Sequence, residues 1–540
     1  YRDIALRINT RIEQGLYQPG DRLPGVRPLS EQFGVSISTV VQAQRHLESL
    51  GSIEARARSG YYICQRPWLK PDVPTASRPP QKPMPVTGQE MVLQLARAAN
   101  QADFVQLGAA VPHADFLPLR ALQRSLAVAA RSYQQYANYA FPPGLEPLQK
   151  HIARRMLMNG DRVNADDIVI TDGCQEAVAL SLRAVAKPGD VIAIESPTFY
   201  GLLQVIDSLG MKALEIPTDP QHGISLAALQ MAVEQWPVKA CVTIPNFSNP
   251  LGSCLSDANK QALVRLARQH RFALIEDDLY GDLSFDGDRP RSLKSFASDP
   301  QDRVYYCSSF SKTVSPGLRC GWVHAPQSAT ERIMYLKHVS NLATNSVSQV
   351  ALADYLEQGT HERYLRQVQA QYRQQVSLFS QAISKYFPPG TRITQPAGGF
   401  VLWVELDPLI DTLTLTHRAI EHKISIAPGQ IFSASQKYRN CIRLNCAQPW
   451  SPRVEQALIE LGRQVLAMLA LFAQLWVGQI STAHLGQMLS QQAPWGDVCT
   501  VQGVVARRMW SACAPYRVGF ITSMAAVAGG SADISIGSSG

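Results

Sequence analysis

Four short runs in the middle of this chain hold only apolar or β-branched residues: Ile168-Val169-Ile170, Val191-Ile192-Ala193-Ile194, Ala240-Cys241-Val242-Thr243-Ile244 and Ala273-Leu274-Ile275. A strand with one face in water alternates polar and apolar side chains. These runs do not alternate, so each predicts a strand covered on both faces. Helical stretches separate them, which predicts a mostly parallel sheet with helices on both sides. The pattern spans residues 89–470. Beyond about residue 330 it turns to helix and then to strands such as Phe400-Val401-Leu402-Trp403-Val404, read as a smaller α+β lobe.

At 540 residues the chain is too long for one ordinary domain. Its net charge of +8 permits contact with nucleic acid without requiring it. Ten cysteines occur with no Cys-x-x-Cys pair. That argues against a zinc site or a disulfide framework, so no metal is expected, and it suits a reducing cytoplasm. Cys441 and Cys446, the closest pair, are read as buried thiols. No signal peptide opens the sequence, which lacks an initiator Met and is expected to begin short of its natural start. The longest apolar run, Val465 to Val477, carries Gln474 and is too short to span a bilayer, so no membrane partner is expected.

Residues 1–64 read as a separate small unit. Ile4, Ile8 and Ile12 recur every four residues and make one apolar helix face. Gln18-Pro19-Gly20-Asp21 predicts a turn, and Val26 to Phe33 a short helix stopped at Gly34. Ser38 to Leu50 predicts a longer helix with Val40, Ala43, Leu47 and Leu50 inward and Gly51 as its cap. Ile53-Glu54-Ala55 and Tyr61-Tyr62-Ile63 predict strands joined through Arg58-Ser59-Gly60. Three helices and a hairpin make a winged helix-turn-helix. Residues 65–88 carry seven prolines from Pro67 to Pro85, with Lys70, Arg78 and Lys82 among them. They predict an extended polar linker rather than a packed element. Residues 471–540 fit neither pattern. From 476 onward they hold five charged groups (Asp497, Arg507, Arg508, Arg517 and Asp533) and end in a Gly/Ser-rich stretch, so they are read as a disordered or non-native tail.

Five segments of the α/β region carry chemistry. Ser308-Ser309-Phe310-Ser311-Lys312-Thr313-Val314-Ser315-Pro316-Gly317-Leu318-Arg319 puts one lysine among small hydroxyls, with an arginine seven positions on. A lysine that condenses with the aldehyde of pyridoxal phosphate (PLP) needs such neighbours to hold the phosphate, although an exposed loop lysine can share the spelling. Thr171-Asp172-Gly173-Cys174-Gln175-Glu176-Ala177 follows a buried strand and opens a helix. The first N–H groups of a helix bind phosphate, though a glycine there also serves packing alone. In Glu195-Ser196-Pro197-Thr198-Phe199-Tyr200, Phe199 can stack on the pyridine face, with Tyr200 behind it or in the core. Asn246-Phe247-Ser248-Asn249-Pro250-Leu251-Gly252 offers Asn249 to the phenolate oxygen, against the commoner use of Asn-Pro as a turn. Ile275-Glu276-Asp277-Asp278-Leu279-Tyr280 puts carboxylates at the end of a strand, where open α/β sheets bind ligands. Asp277 can pair with the pyridine nitrogen and Tyr280 with the phenolate oxygen. Asp278 is read as part of a solvated acidic loop.

In this order and spacing, the chain from about 90 to 470 resembles the fold-type-I PLP-dependent transferases of the aspartate aminotransferase class. The resemblance implies Lys312 as the Schiff-base lysine, Asp277 as the pyridine partner, Asn249 and Tyr280 at the phenolate oxygen, and Phe199 as the stacking ring. It implies a phosphate held by the backbone of Cys174 and Gln175, the hydroxyls of Ser309 and Ser311, and Arg319. Arg443, in Cys441-Ile442-Arg443-Leu444-Asn445, matches the residue that binds a substrate α-carboxylate bidentately. Tyr139, in Asn138-Tyr139-Ala140-Phe141-Pro142-Pro143-Gly144, matches a tyrosine that reaches the phosphate across a homodimer interface, although an ordinary loop tyrosine reads the same. Cys174 departs from the small or hydroxyl residue of many members. No second arginine is placed to read a side-chain carboxylate, so an acidic amino acid is not expected as ligand.

The N-terminal unit resembles the GntR family of bacterial regulators. The carrying residues are Gln18-Pro19-Gly20-Asp21-Arg22-Leu23-Pro24-Gly25-Val26-Arg27-Pro28-Leu29-Ser30, Val35-Ser36-Ile37-Ser38-Thr39-Val40 and Arg58-Ser59-Gly60-Tyr61-Tyr62. Arg27 starts the helix before the turn, placed for phosphate or a base edge. Ser36, Ser38 and Thr39 stand at the N-terminus of the recognition helix. Arg56, Arg58 and Gly60 form a basic wing for the minor groove. Residues 1–66 hold nine arginines against six acids, a weak electrostatic signal for DNA. Pro28 departs from the commoner acidic residue yet suits the first turn of a helix. A winged helix joined through a proline-rich linker to an aminotransferase-like domain is the architecture of the MocR subgroup, and the resemblance covers residues 1–470. It implies a cytoplasmic, homodimeric transcriptional regulator that binds a double-stranded DNA operator and senses PLP or a small amino compound through Lys312. The alternative is a working aminotransferase with a DNA-binding appendage, because Lys312, Asp277 and Arg443 are the minimum set for that chemistry.

Overall fold

The computed structural model describes residues 1–488 apart from 14–15, 19, 50–51, 57–58, 65–70, 87–91, 93–100, 102 and 133–136, and without the side chains of 13, 49 and 473–488. Leu50, Gly51, Arg58, Lys70 and residues 489–540 therefore lie outside the described residues. The chain divides into two compact units, residues 1–387 with 391–465, and 388–390 with 466–540.

The first unit opens with α1 (Arg2–Glu13), α2 (Val26–Phe33), α3 (Ile37–Ser49) and the antiparallel hairpin of β1 (Ile53–Arg56) and β2 (Gly60–Ile63). Ile4, Ile8, Leu29, Val40, Ala43, Leu47, Ile53 and Ile63 form its core, with Ile12 packed at the margin. Gly34 ends α2 at φ +64, a left-handed cap that costs a glycine little.

The proline-rich segment differs from the free linker expected. Ser77 N–H donates to Thr218 O (3.2 Å), Thr218 N–H returns a bond to Ser77 Oγ (2.8 Å), Met84 and Ala213 exchange backbone bonds, and Val86 is buried in the main core. Prolines keep this stretch extended. An extended chain is the shape that can lie along a strand and cover its unpaired edge.

After β3 (Val105–Gln106), α4 (Leu119–Arg131) and α5 (Glu146–Met158), the large sheet begins. Its strands are β4 (Ile168–Thr171), β5 (Val191–Ser196), β6 (Lys212–Asp219), β7 (Gly223–Ile224), β8 (Val238–Thr243), β9 (Ala273–Asp277), β10 (Val304–Ser309) and β11 (Gly321–His324), in the order 4-11-10-9-8-5-6-7. From β10 to β6 every pairing is parallel, whereas β11 and β7 run antiparallel to their neighbours. Helices α6 (Cys174–Val185), α7 (Tyr200–Ser208), α8 (Leu226–Gln235) and α9 (Asp257–His270) intervene. Ile192 and Ile194 join one core with Ala177 and Val178, while Val191 and Ala193 join another with Leu263 and Val264. Alternate residues of one strand thus enter opposite cores, which is why the strands read as unbroken apolar runs.

Helices α10 (Gln327–Asn341), α11 (Ser346–Glu357) and α12 (His361–Tyr386) lead to the smaller lobe. There β12 (Arg392–Ile393), β13 (Val401–Glu405), β15 (Ala427–Pro428) and β16 (Cys441–Asn445) form an antiparallel sheet in the order 12-13-16-15. Helix α13 (Thr412–Glu421) precedes β14 (Ile424–Ser425), which pairs with β3. The last helix among the described residues, α14 (Pro452–Met488), runs past residue 470, where the tail is expected to begin. The stretch from Val465 to Val477 is rich in Leu and Ala and free of Gly and Pro, so nothing in it stops a helix. The described backbone of the second unit is helical from Leu466 to Met488. Among the described residues no helix is long and apolar enough to cross a membrane.

Candidate functional site

The five chemistry-bearing segments begin at the C-terminal ends of β4, β5, β8, β9 and β10, which share one edge of the sheet. That edge is where helix N-termini and free loop residues face a ligand.

Gly173 precedes α6 at φ +88, and a Cβ there would fall 2.5 Å from Arg319 Nη2. Only a glycine lets this arginine close over the turn, where Nη2 donates to Asp172 O at 2.8 Å. Ala177 N–H to Gly173 O is the first bond of the helix, so the N–H groups of Cys174 and Gln175 stand at its positive end. The Gln175 side chain is exposed. Ser309 Oγ donates to Cys320 O (2.8 Å), lies 2.8 Å from Ser311 Oγ and accepts from Ser311 N–H (3.1 Å), and both serines are buried.

Asp277 ends β9, and its Oδ1 accepts from Cys174 Sγ at 3.3 Å. Burial pushes this carboxyl up to about 6 against the opposing thiol hydrogen bond. Lys312 Nζ donates to Ala110 O at 2.7 Å. Burial, helped by Arg443 and opposed by Asp277, lowers the amine to about 8. Asn249 and Tyr280 are buried and hydrogen-bonded, and burial pushes the Tyr280 phenol up.

Arg443 lies fully buried in β16. Its Nη1 donates to Asn249 Oδ1 (3.3 Å), its Nη2 donates to Gly108 O, and its guanidinium sits 5.4 Å from the Phe432 ring centroid. Its Nε has no hydrogen-bond partner among the described residues, and burial lowers its pKa. Phe199 precedes α7, half-buried, with its ring 4.7 Å from that of Tyr200. Tyr200 packs against the buried cluster of Trp403, Ile431 and Phe432, with its ring 5.5 Å from that of Phe432. Tyr139 is exposed on its loop, with its ring 5.5 Å from Phe141.

Asp278 is the clear correction. It is 1% exposed, not solvated, and accepts from Arg289, from Tyr306 Oη (3.0 Å) and from Asn246 Nδ2 (3.0 Å). A doublet of acids at a strand end carries no mark of an arginine eleven positions on. The carbonyls of Gly108 and Ala110 also escaped sequence reading, because backbone acceptors have no residue signature.

In the N-terminal unit Arg27, Ser36 and Ser38 are exposed and Thr39 is half-buried. Ser36 Oγ accepts from Thr39 N–H (3.2 Å) and so caps α3. Arg56 donates twice to Glu54 Oε1 (2.9 and 2.7 Å) and lies 4.3 Å over the Tyr62 ring, so it runs along the hairpin rather than out from it. Gly60 turns the hairpin at φ +106, with Arg22 beside it. The unit touches the larger domain through Arg2 Nη2 and Asp286 Oδ1 (2.6 Å) and through Gln381 Nε2 and Glu48 O (3.3 Å).

Residues 102–461 match aminotransferase class I and II, and residues 1–63 match the gntR family of bacterial regulatory proteins. The chain belongs to the class I and II aminotransferase family, in the MocR subgroup that joins this fold to a GntR winged helix. It is 42% identical to the uncharacterized HTH-type transcriptional regulator YjiR of Escherichia coli (strain K12), over 86% of this chain and 98% of that one. Among solved structures it resembles Pyrococcus horikoshii kynurenine aminotransferase (26% identity, TM-score 0.66, 71% of this chain and 96% of that one). It also resembles Thermus thermophilus α-aminoadipate aminotransferase LysN (25% identity, TM-score 0.65, 70% and 98%), solved with N-(5'-phosphopyridoxyl)-L-leucine.

The family is PLP-dependent, and the residues here fit that cofactor. An anion cradle of helix N–H groups, hydroxyls and an arginine suits a phosphate. A buried carboxylate suits a pyridinium, and a lysine near neutrality suits an aldehyde. The orphaned Arg443 Nε leaves a donor for a carboxylate.

Proposed function

We propose that the protein is a transcriptional regulator whose aminotransferase-like domain binds PLP and uses it to sense an amino compound. Cys174 and Gln175 N–H, Ser309, Ser311 and Arg319 would hold the phosphate, Asp277 the ring nitrogen, and Asn249 and Tyr280 the phenolate oxygen. Phe199 would lie on the ring. When bound, PLP supplies an aldehyde for amines and an electron-withdrawing ring. Lys312 would join that aldehyde until an amino compound competes for it, and Arg443 would hold the compound's carboxylate. Tyr139 would reach the phosphate from a second copy of the chain, making the homodimer the working form, in the cytoplasm where its DNA lies.

The observation that carries this reading is one chain holding a GntR winged helix that touches the aminotransferase-like domain, in which residues suited to PLP gather at the strand ends. A ligand changes DNA affinity only if it binds two domain arrangements unequally, and the Arg2–Asp286 and Gln381–Glu48 contacts are ones that two arrangements can make or break. The test is binding to DNA upstream of its own gene against scrambled DNA at physiological salt, with and without PLP. Preferential, PLP-sensitive binding supports the regulator; no preference in either state removes it. Turnover is the second reading, supported by the nearness of Asp277 and Arg443 to Lys312; steady transamination lost in Lys312→Ala would establish it.

A further inference from the structure

We propose that the Cys174 side chain is a positioning residue for the ring-nitrogen end of the cofactor site, acting through Asp277, and that only its backbone serves the phosphate. This rests on the PLP reading above. The Cys174 thiol lies 3.3 Å from Asp277 Oδ1, and among the described residues it is the one side chain that donates to this carboxylate. Its placement is enforced. A Cβ on Gly321 would meet the Gly173 carbonyl carbon at 2.6 Å and Ser308 O at 2.7 Å, so this glycine lets the start of α6 settle over β10 and β11. Cys174, the first residue of that helix, is 6% exposed and has no solvent to turn toward.

The chemistry follows from the donor. A pyridinium N–H needs one carboxylate oxygen in line with it. A thiol on Oδ1 restrains the rotation of the carboxylate, and as a weak donor it leaves the negative charge in place. The sulfur is turned to Asp277, the carboxylate assigned to the ring nitrogen.

The experiment uses the full chain as wild type, Cys174→Ala and Cys174→Ser. Dissociation constants are measured for PLP, for an analogue with carbon in place of the ring nitrogen, and for pyridoxal, which lacks the phosphate. Cys174→Ala is expected to weaken PLP and pyridoxal roughly five-fold and to leave the carbon analogue unchanged. Cys174→Ser, which restores a donor, is expected to stay within about two-fold of wild type for all three. Weakening of PLP and the carbon analogue with pyridoxal spared would assign the side chain to the phosphate and overturn the proposal. Equal weakening of all three, or Cys174→Ser behaving as Cys174→Ala, would overturn it as a mere packing effect. A wild-type chain that binds no PLP would instead remove the underlying reading, a result independent of Cys174.

Discussion

Arg443 Nη1 donates to Asn249 Oδ1 across 3.3 Å, tying β16 of the smaller lobe to the loop after β8 of the large sheet. The residue assigned to a ligand's carboxylate and the residue assigned to the cofactor's phenolate oxygen are therefore in direct contact. A carboxylate arriving at Arg443 would compete with Asn249 and with Gly108 O, so its capture would reach both lobes through one side chain.

Arg443→Met should weaken binding of amino acids by about ten- to one hundred-fold, the worth of charge-assisted hydrogen bonds to a carboxylate. Simple amines of the same shape without a carboxylate should be affected far less. Spectral titration of the PLP-loaded protein with both ligand types checks the difference.

The Lys312 amine attacks an aldehyde only when uncharged. Burial lowers its pKa to about 8, so PLP uptake by the apo-protein should rise with pH through about 8 and level off above it. Rates followed by stopped-flow absorbance across pH 6 to 10 test this. A midpoint near the value of a free lysine would contradict the buried setting.

Asp277 has the opposite sign from a stabilising salt bridge. Its folded pKa of about 6 lies above the usual carboxylate value, so the folded chain prefers it protonated. Its contribution to apo-protein stability is lost as pH rises from about 4 to about 6. Asp277→Asn should then stabilise the apo-protein at pH 7 by about 1–2 kcal/mol, tempered by the partial exposure of the side chain, while weakening PLP. Denaturant melts with and without cofactor measure both effects.

In the winged helix, Arg27→Ala should weaken binding to all DNA sequences alike and reduce the salt dependence by about one phosphate contact. Loss of sequence preference instead would put Arg27 on a base edge. Titrations at several salt concentrations separate the two.

The strands and the site segments were legible in the sequence for one physical reason. A strand buried on both faces is apolar along most of its length, so its end shows as the point where Thr171, Glu195 or Glu276 first appears. Helix α2 and its stop at Gly34 were legible for a similar reason, since an αL cap selects glycine. Contacts between distant segments left no such trace. Asp278 is paired with Arg289 and accepts from Tyr306; Ser77 and Met84 of the proline-rich segment pair with the edge of β6; and Arg56 folds back on Glu54 and Tyr62. Each is decided by the surroundings, not by local residue type.

If PLP chemistry at Lys312 governs DNA affinity, removing the lysine should uncouple the two. The measurement that tests it most directly is operator affinity of wild type and Lys312→Ala, each with and without PLP, at fixed salt. Wild type should show a PLP-dependent change and Lys312→Ala none, with both still preferring the operator to scrambled DNA. An equal PLP response in the two proteins would contradict it, because the signal would then bypass the lysine.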